Sequence, residues 1–110
     1  MKRDPDHPII DDPWTYDILG FNYQVDKEDP GKSFIDLTLE KEGVVRRLRF
    51  HGPTNLEIEA GFPIPTRGMA ILDVRARQLE GIGVEVSDFE NSTGSVTFLA
   101  RAVVDLDTQE

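Results

Sequence analysis

The feature that most constrains this chain is a hydrophobic period of two that recurs from Trp14 almost to its end. Leu56, Ile58 and Ala60 alternate with Glu57 and Glu59, and Leu72, Val74 and Ala76 alternate with Asp73, Arg75 and Arg77. The longest run puts Val96, Phe98, Ala100, Ala102, Val104 and Leu106 on one parity and Ser95, Thr97, Leu99, Arg101, Val103 and Asp105 on the other. Alternation of this kind sends one set into a core and the other to solvent, as in a β-strand. Turn residues interrupt it at Asp29-Pro30-Gly31, Glu42-Gly43, Gly52-Pro53, Gly61 to Gly68, Gly81 and Ser92-Thr93-Gly94. Short alternating runs with regular breaks predict an all-β antiparallel sandwich or small open barrel of six or seven strands. A helix over residues 70–80 would give an α+β fold instead, but the Arg75/Arg77 alternation fits a strand better.

With 110 residues there is material for one domain. Residues 1–13, MKRDPDHPIIDDP, carry three prolines and read as an extended arm, leaving 14–110 as the all-β domain. The arm has no apolar core of signal-peptide length, and no run approaches the length of a membrane span. The expectation is a cytoplasmic protein without a membrane partner. Trp14, Tyr16 and Ile18 lie on one parity and Phe21, Tyr23 and Val25 on the other, so a β-bulge is expected at Leu19-Gly20.

Charge can be used to test register. A primed two-residue turn at Glu42-Gly43 puts Leu37 opposite Leu48, Ile35 opposite Phe50, Asp36 opposite Arg49 and Thr38 opposite Arg47. A three-residue hairpin loop at Gly52-Pro53-Thr54 would then set Arg49 against Glu57 and Arg47 against Glu59. Asp36–Arg49–Glu57 becomes an acid–base–acid row across a three-strand meander. Leu99 and Val103 fall on the outer parity, which suggests a last strand covered on both faces or a homo-oligomer contact.

Chemistry-bearing residues are sparse. Twenty-one acids against 12 bases give a formal charge of −9, which repels phosphate backbones, so no nucleic acid is expected as a partner. The absence of cysteine removes thiolate ligands and nucleophiles. His7 and His51 stand in no metal-binding spacing, and His51 as a general base lacks a recognisable nucleophile and acid. Asp4, Asp6, Asp11 and Asp12, and separately Asp88, Glu90 and Asn91, cluster carboxylates without a calcium-loop spacing. No catalytic residue, cofactor or metal is therefore assigned. Charge is uneven along the chain: residues 44–77 hold six arginines against three acids, whereas 84–110 hold six acids against Arg101. Arginine favours bidentate contact with carboxylate or phosphate. The candidate interaction surface is Arg75, Arg77, Leu99, Arg101 and Val103.

The stretch Arg47–Ile58, RLRFHGPTNLEI, places Leu48, Phe50 and Gly52 before a short turn and Leu56 and Ile58 after it. In this it resembles small uncharacterised all-β bacterial proteins, some of them immunity-protein-like partners of secreted toxins. The resemblance implies a binding role and carries over no catalytic residue. The leading expectation is a non-enzymatic protein-interaction module with a protein partner. A small-ligand carrier with Trp14, Tyr16, Phe21, Tyr23, Phe34 and Phe50 at a barrel mouth is the alternative. A minor hydrolase using His51 is the second alternative.

Overall fold

The computed structural model describes residues 7–58, 69–75, 81–88 and 96–107. Eight strands lie among them: β1 (Asp17–Gln24), β2 (Phe34–Lys41), β3 (Val44–His51), β4 (Thr54–Ile58), β5 (Met69–Asp73), β6 (Val84–Asp88), β7 (Val96–Ala100) and β8 (Ala102–Asp105). They form two four-stranded antiparallel sheets, ordered β1-β2-β3-β8 and β4-β7-β6-β5, that do not close into a barrel. The fold is an all-β sandwich. Residues 70–73 of the proposed helical stretch belong to β5, and residues 76–80 lie outside the described residues. Among the described residues no helix is long and apolar enough to cross a membrane.

The first hairpin follows the alternation directly. Ile35, Leu37 and Leu39 of β2 and Leu48 and Phe50 of β3 are fully buried, and their polar neighbours face outward. Glu42 and Gly43 both adopt positive φ, 53° and 84°, as a type I′ turn requires. The register is Ile35↔Phe50, Asp36↔Arg49, Leu37↔Leu48 and Thr38↔Arg47, as apolar and ionic matching anticipated. Between Ile18 and Gly20 the β1–β2 register slips by one residue, which is the bulge expected there. Leu19 is the extra residue and stands 61% exposed.

The meander ends at β3. Gly52-Pro53 does not close a hairpin; it carries the chain out of one sheet and into the other, where β4 pairs with β7. Glu57 consequently lies opposite Thr97, and the second neighbour of Arg49 is Val104 of β8. The expected pairing of Arg47 with Glu59 falls on a residue outside the described ones; Arg47 pairs instead with Asp107, at 2.8 Å. The long last strand is also divided. β7 runs in the second sheet and β8 in the first, with Arg101 between them, which is why eight strands stand where six or seven were expected.

This division reverses the parity of everything after Arg101. Val96, Phe98 and Ala100 are buried before it; Val103 and Asp105 are buried after it, at 8% and 7% exposure. Val103 is thus a core residue opposite Phe50 and cannot serve as the outward contact that simple alternation gave it. Leu99 does lie on the outer face of its sheet, half-buried between Thr54 and Glu85. The buried Asp105 carboxylate accepts from Arg46 Nε at 3.1 Å and from the Asp107 N–H at 2.8 Å, so its burial is compensated.

The core lies between the sheets. Phe50 of β3 meets Phe98 of β7 edge-to-face, with ring centroids 5.1 Å apart. The arm closes one end from His7 onward: His7 N–H donates to the Ile71 carbonyl on edge strand β5, and Ile10 enters the core at 3% exposure. Arg46 also donates to the Ile9 carbonyl, fastening the arm to β3. On the outer face Arg49 makes two bonds of 2.8 and 2.9 Å to Asp36, and its guanidinium lies 4.0 Å from the Phe34 ring centroid.

Phe50→Ala should cost about 3–5 kcal/mol, because it empties the contact between sheets. Arg49→Glu should cost about 1 kcal/mol at low salt, with Asp36 as its single acidic neighbour across the ladder, and added salt should recover part of that loss. Urea unfolding of both variants at two ionic strengths checks the pair of outcomes.

Candidate functional site

The point where both strand segments change sheet is also where a cationic side chain stands over a cleft. At Gly52 φ is +61°, a conformation glycine adopts without strain, and Pro53 stiffens the exit into β4. Arg101 N–H donates to the His51 carbonyl at 2.8 Å, holding the two bends together. The Arg101 stem crosses Gly52 so closely that a Cβ there would sit 2.9 Å from its Cδ. Its guanidinium reaches over Gly31, where a Cβ would sit 3.1 Å from one terminal nitrogen. Gly83 is needed for a different contact, since a Cβ on it would fall 2.6 Å from the Arg101 carbonyl oxygen. Three glycines therefore make room for one arginine.

The opposite wall is a braced loop. Asp29 caps the turn Pro30–Lys32 by accepting from Gly31 N–H at 3.1 Å. Asp26 accepts from the N–H groups of Glu28 and Asp29, and the buried Ser33 hydroxyl accepts from Asp26 N–H at 2.9 Å. Gly52 N–H donates to the Ser33 carbonyl, joining the loop to the corner. These bonds fix Pro30-Gly31 beside Arg101. The resulting pocket has a volume of about 430 Å³, with Pro30, Pro53 and Ile82 as its apolar lining and Thr54 and Arg101 as its polar side chains.

The arginines differ in how they are partnered. Arg46, Arg47, Arg49 and Arg75 form ion pairs with Asp105, Asp107, Asp36 and Asp73. Among the described residues no carboxylate pairs with Arg101, whose side chain is exposed. Its planar fork of donors lies over Gly31 and lines the pocket.

Of the other candidate residues, Arg75 approaches the same corner, its Cγ lying 3.4 Å from the position a Gly83 Cβ would occupy. Its head group is bound to Asp73 at 2.7 Å. Leu99 lines a separate groove with Asn55, Glu85 and Thr97, and Val103 is inside the core. Arg77 lies outside the described residues. His51 stands opposite Phe34 and Ala102; among the described residues no carboxylate or hydroxyl bonds its ring. Of the aromatic residues proposed for a barrel mouth, Phe50 is in the core with Tyr16, Phe21 and Tyr23 packed against that core, and Phe34 lies on the outer face beneath Arg49. Asp4, Asp6, Glu90 and Asn91 lie outside the described residues, among which no group of three or more potential metal ligands occurs. The corner was missed by sequence reasoning because Gly31, Gly52 and Gly83 are far apart in the chain. Arg101 as the single cation in an acidic C-terminal stretch was the available signal.

Comparison of the chain with protein-family models, curated proteins and solved structures finds no match.

The Arg75 pair and the arm carry the pH dependence nearest this corner. Arg75 hydrogen bonds lower the Asp73 pKa to about 2. Because the folded-state value is depressed, this stabilisation is complete above the ordinary carboxylate range and is lost as pH falls toward 2. His7 is shifted down by burial, with Asp73 opposing and Arg75 reinforcing the shift. The unfolded chain thus takes up that proton first, and stability declines as pH drops through 6.5. Urea midpoints measured against pH should show the His7→Asn variant lacking the decline that begins near neutrality. The Asp73→Asn variant should converge on the unmodified protein only below about pH 4.

Proposed function

We propose that this chain is a non-enzymatic protein-interaction module that docks a net-basic protein through the Arg101 corner. The observation that carries the reading is the contrast among the arginines. Four are neutralised by aspartates, while Arg101 is held in a glycine-lined pocket with no carboxylate partner among the described residues. The side chain lies along Gly52 and over Gly31, within reach of a docked partner, and arginine is enriched among residues that dominate interface energies. The formal charge of −9 supplies the second part, since a strongly acidic protein draws a basic partner by long-range attraction. An immunity-like role against a basic toxin agrees with both parts.

The two contributions separate kinetically. With a partner isolated by affinity capture, the association rate should fall steeply as salt is raised. Arg101→Glu adds negative charge and should leave association as fast or faster, while accelerating dissociation about tenfold or more. Arg47→Ala, on the outer face of the first sheet, should change dissociation little. A salt-independent association rate together with an unchanged Arg101→Glu dissociation rate would overturn the reading.

A further inference from the structure

The chemistry of the corner narrows what such a partner must place there. We infer that the Arg101 pocket is a carboxylate site that takes an acid borne on an apolar residue, such as the C-terminal residue of a peptide chain. The inference rests on the docking reading above and specifies its contact. A planar guanidinium with open donors matches the two oxygens of a carboxylate in a bidentate pair. The arginine stem runs along Gly52 and its head lies over Gly31, which places the guanidinium at the pocket. Beyond the charged end the walls are Pro30, Pro53 and Ile82, which favour an aliphatic group adjoining the carboxylate. Thr54 at the rim offers a hydroxyl to a neighbouring polar atom.

Charge selects among anions. In a chain of net charge −9, and with Asp29 beside Gly31, a ligand bearing several negative charges meets repulsion that one guanidinium does not offset. A monoanion loses least. The N–H groups of Gly31, Gly52 and Gly83 are already committed to Asp29 Oδ1 and to the Ser33 and Ala100 carbonyls. These three N–H groups are therefore not offered to a ligand as in a phosphate cradle, and the inferred anion recognition is that of a side-chain fork. Its volume of about 430 Å³ suits one or two residues.

The test is a titration of the intact protein followed by amide and arginine Nε–H chemical shifts. The probes are N-acetylleucine, N-acetylleucinamide, N-acetylglycine and inorganic phosphate, at constant ionic strength. N-acetylleucine should shift Gly31, Gly52, Gly81 and the Arg101 Nε–H saturably, leaving Gly43 at the distant β2–β3 turn unmoved. The amide should bind about tenfold more weakly or worse, because the charge-assisted pair is lost. N-acetylglycine should be weaker than N-acetylleucine, and Arg101→Gln should abolish the difference between acid and amide. Equal shifts from acid and amide, or no shifts at the corner, would overturn the inference even if Arg101→Gln fails to fold. Tighter binding of phosphate than of N-acetylleucine would overturn the monocarboxylate assignment. Saturable acid binding with a protein partner indifferent to Arg101→Glu would support the carboxylate site and overturn only the docking reading. The converse result would do the reverse.

Discussion

The arrangement depends on two strands changing sheet at the same place. β3 continues into β4 through Gly52-Pro53, and β7 continues into β8 through Arg101. These paired segments run antiparallel on both sides of the bend, with His51↔Ala102 before it and Thr54↔Leu99 after it. A two-stranded ribbon thus folds across the sandwich and belongs to both sheets, a corner built by a bend rather than by a hairpin. The bend brings Phe50 and Phe98 together from opposite layers. It also costs the ladder its regularity, which is where the glycines and the exposed arginine are found. Backbone meets backbone at Gly83, and at Gly31 and Gly52 the Arg101 side chain takes the space a Cβ would need, so the corner carries glycine at all three positions.

Electrostatics follow the same geometry. Outer-face cross-strand pairing gives Arg49 its Asp36, and the turn after β8 brings Asp107 to Arg47. The inward parity of β8 brings Asp105 to Arg46 at the end of the core. In a chain with 21 acids, a cation is expected to acquire an acidic partner. Among the described residues Arg101 differs, because it lines a pocket of Pro30, Gly31, Gly52, Pro53, Thr54, Gly81 and Ile82 and forms no ion pair there. The exception arises from the bend, which connects the structural account to the functional proposal.

Much of the first sheet was legible from local pattern. The type I′ turn at Glu42-Gly43 fixes one register, and apolar and ionic matching select it independently. The bulge at Leu19-Gly20 was visible as a change of parity. The second half was misread at two points for one reason. Gly52-Pro53-Thr54 has the composition of a hairpin loop, and residues 96–106 have the alternation of a single strand. Local chemistry does not distinguish a turn that reverses the chain from a bend that carries it to another layer. Pairing between residues about fifty apart decides that, so the corner, the burial of Val103 and Asp105, and the setting of Arg101 followed only from the three-dimensional arrangement.

The shared bend can be tested by cross-linking, since the chain has no cysteine to interfere. In the sandwich Arg49 lies opposite Val104 of β8, whereas a three-strand meander would place it opposite Glu57. Residues paired across an antiparallel ladder have Cα atoms about 4.5–5.5 Å apart, within disulfide range. The measurement is the rate of intramolecular disulfide formation in Arg49→Cys/Val104→Cys and Arg49→Cys/Glu57→Cys, folded and at high dilution. Both variants lose the same ion pair to Asp36, so the comparison isolates geometry. The account predicts rapid closure in the first and none in the second; closure of the second alone would show that Gly52-Pro53 is a hairpin after all and contradict the corner on which the site is built.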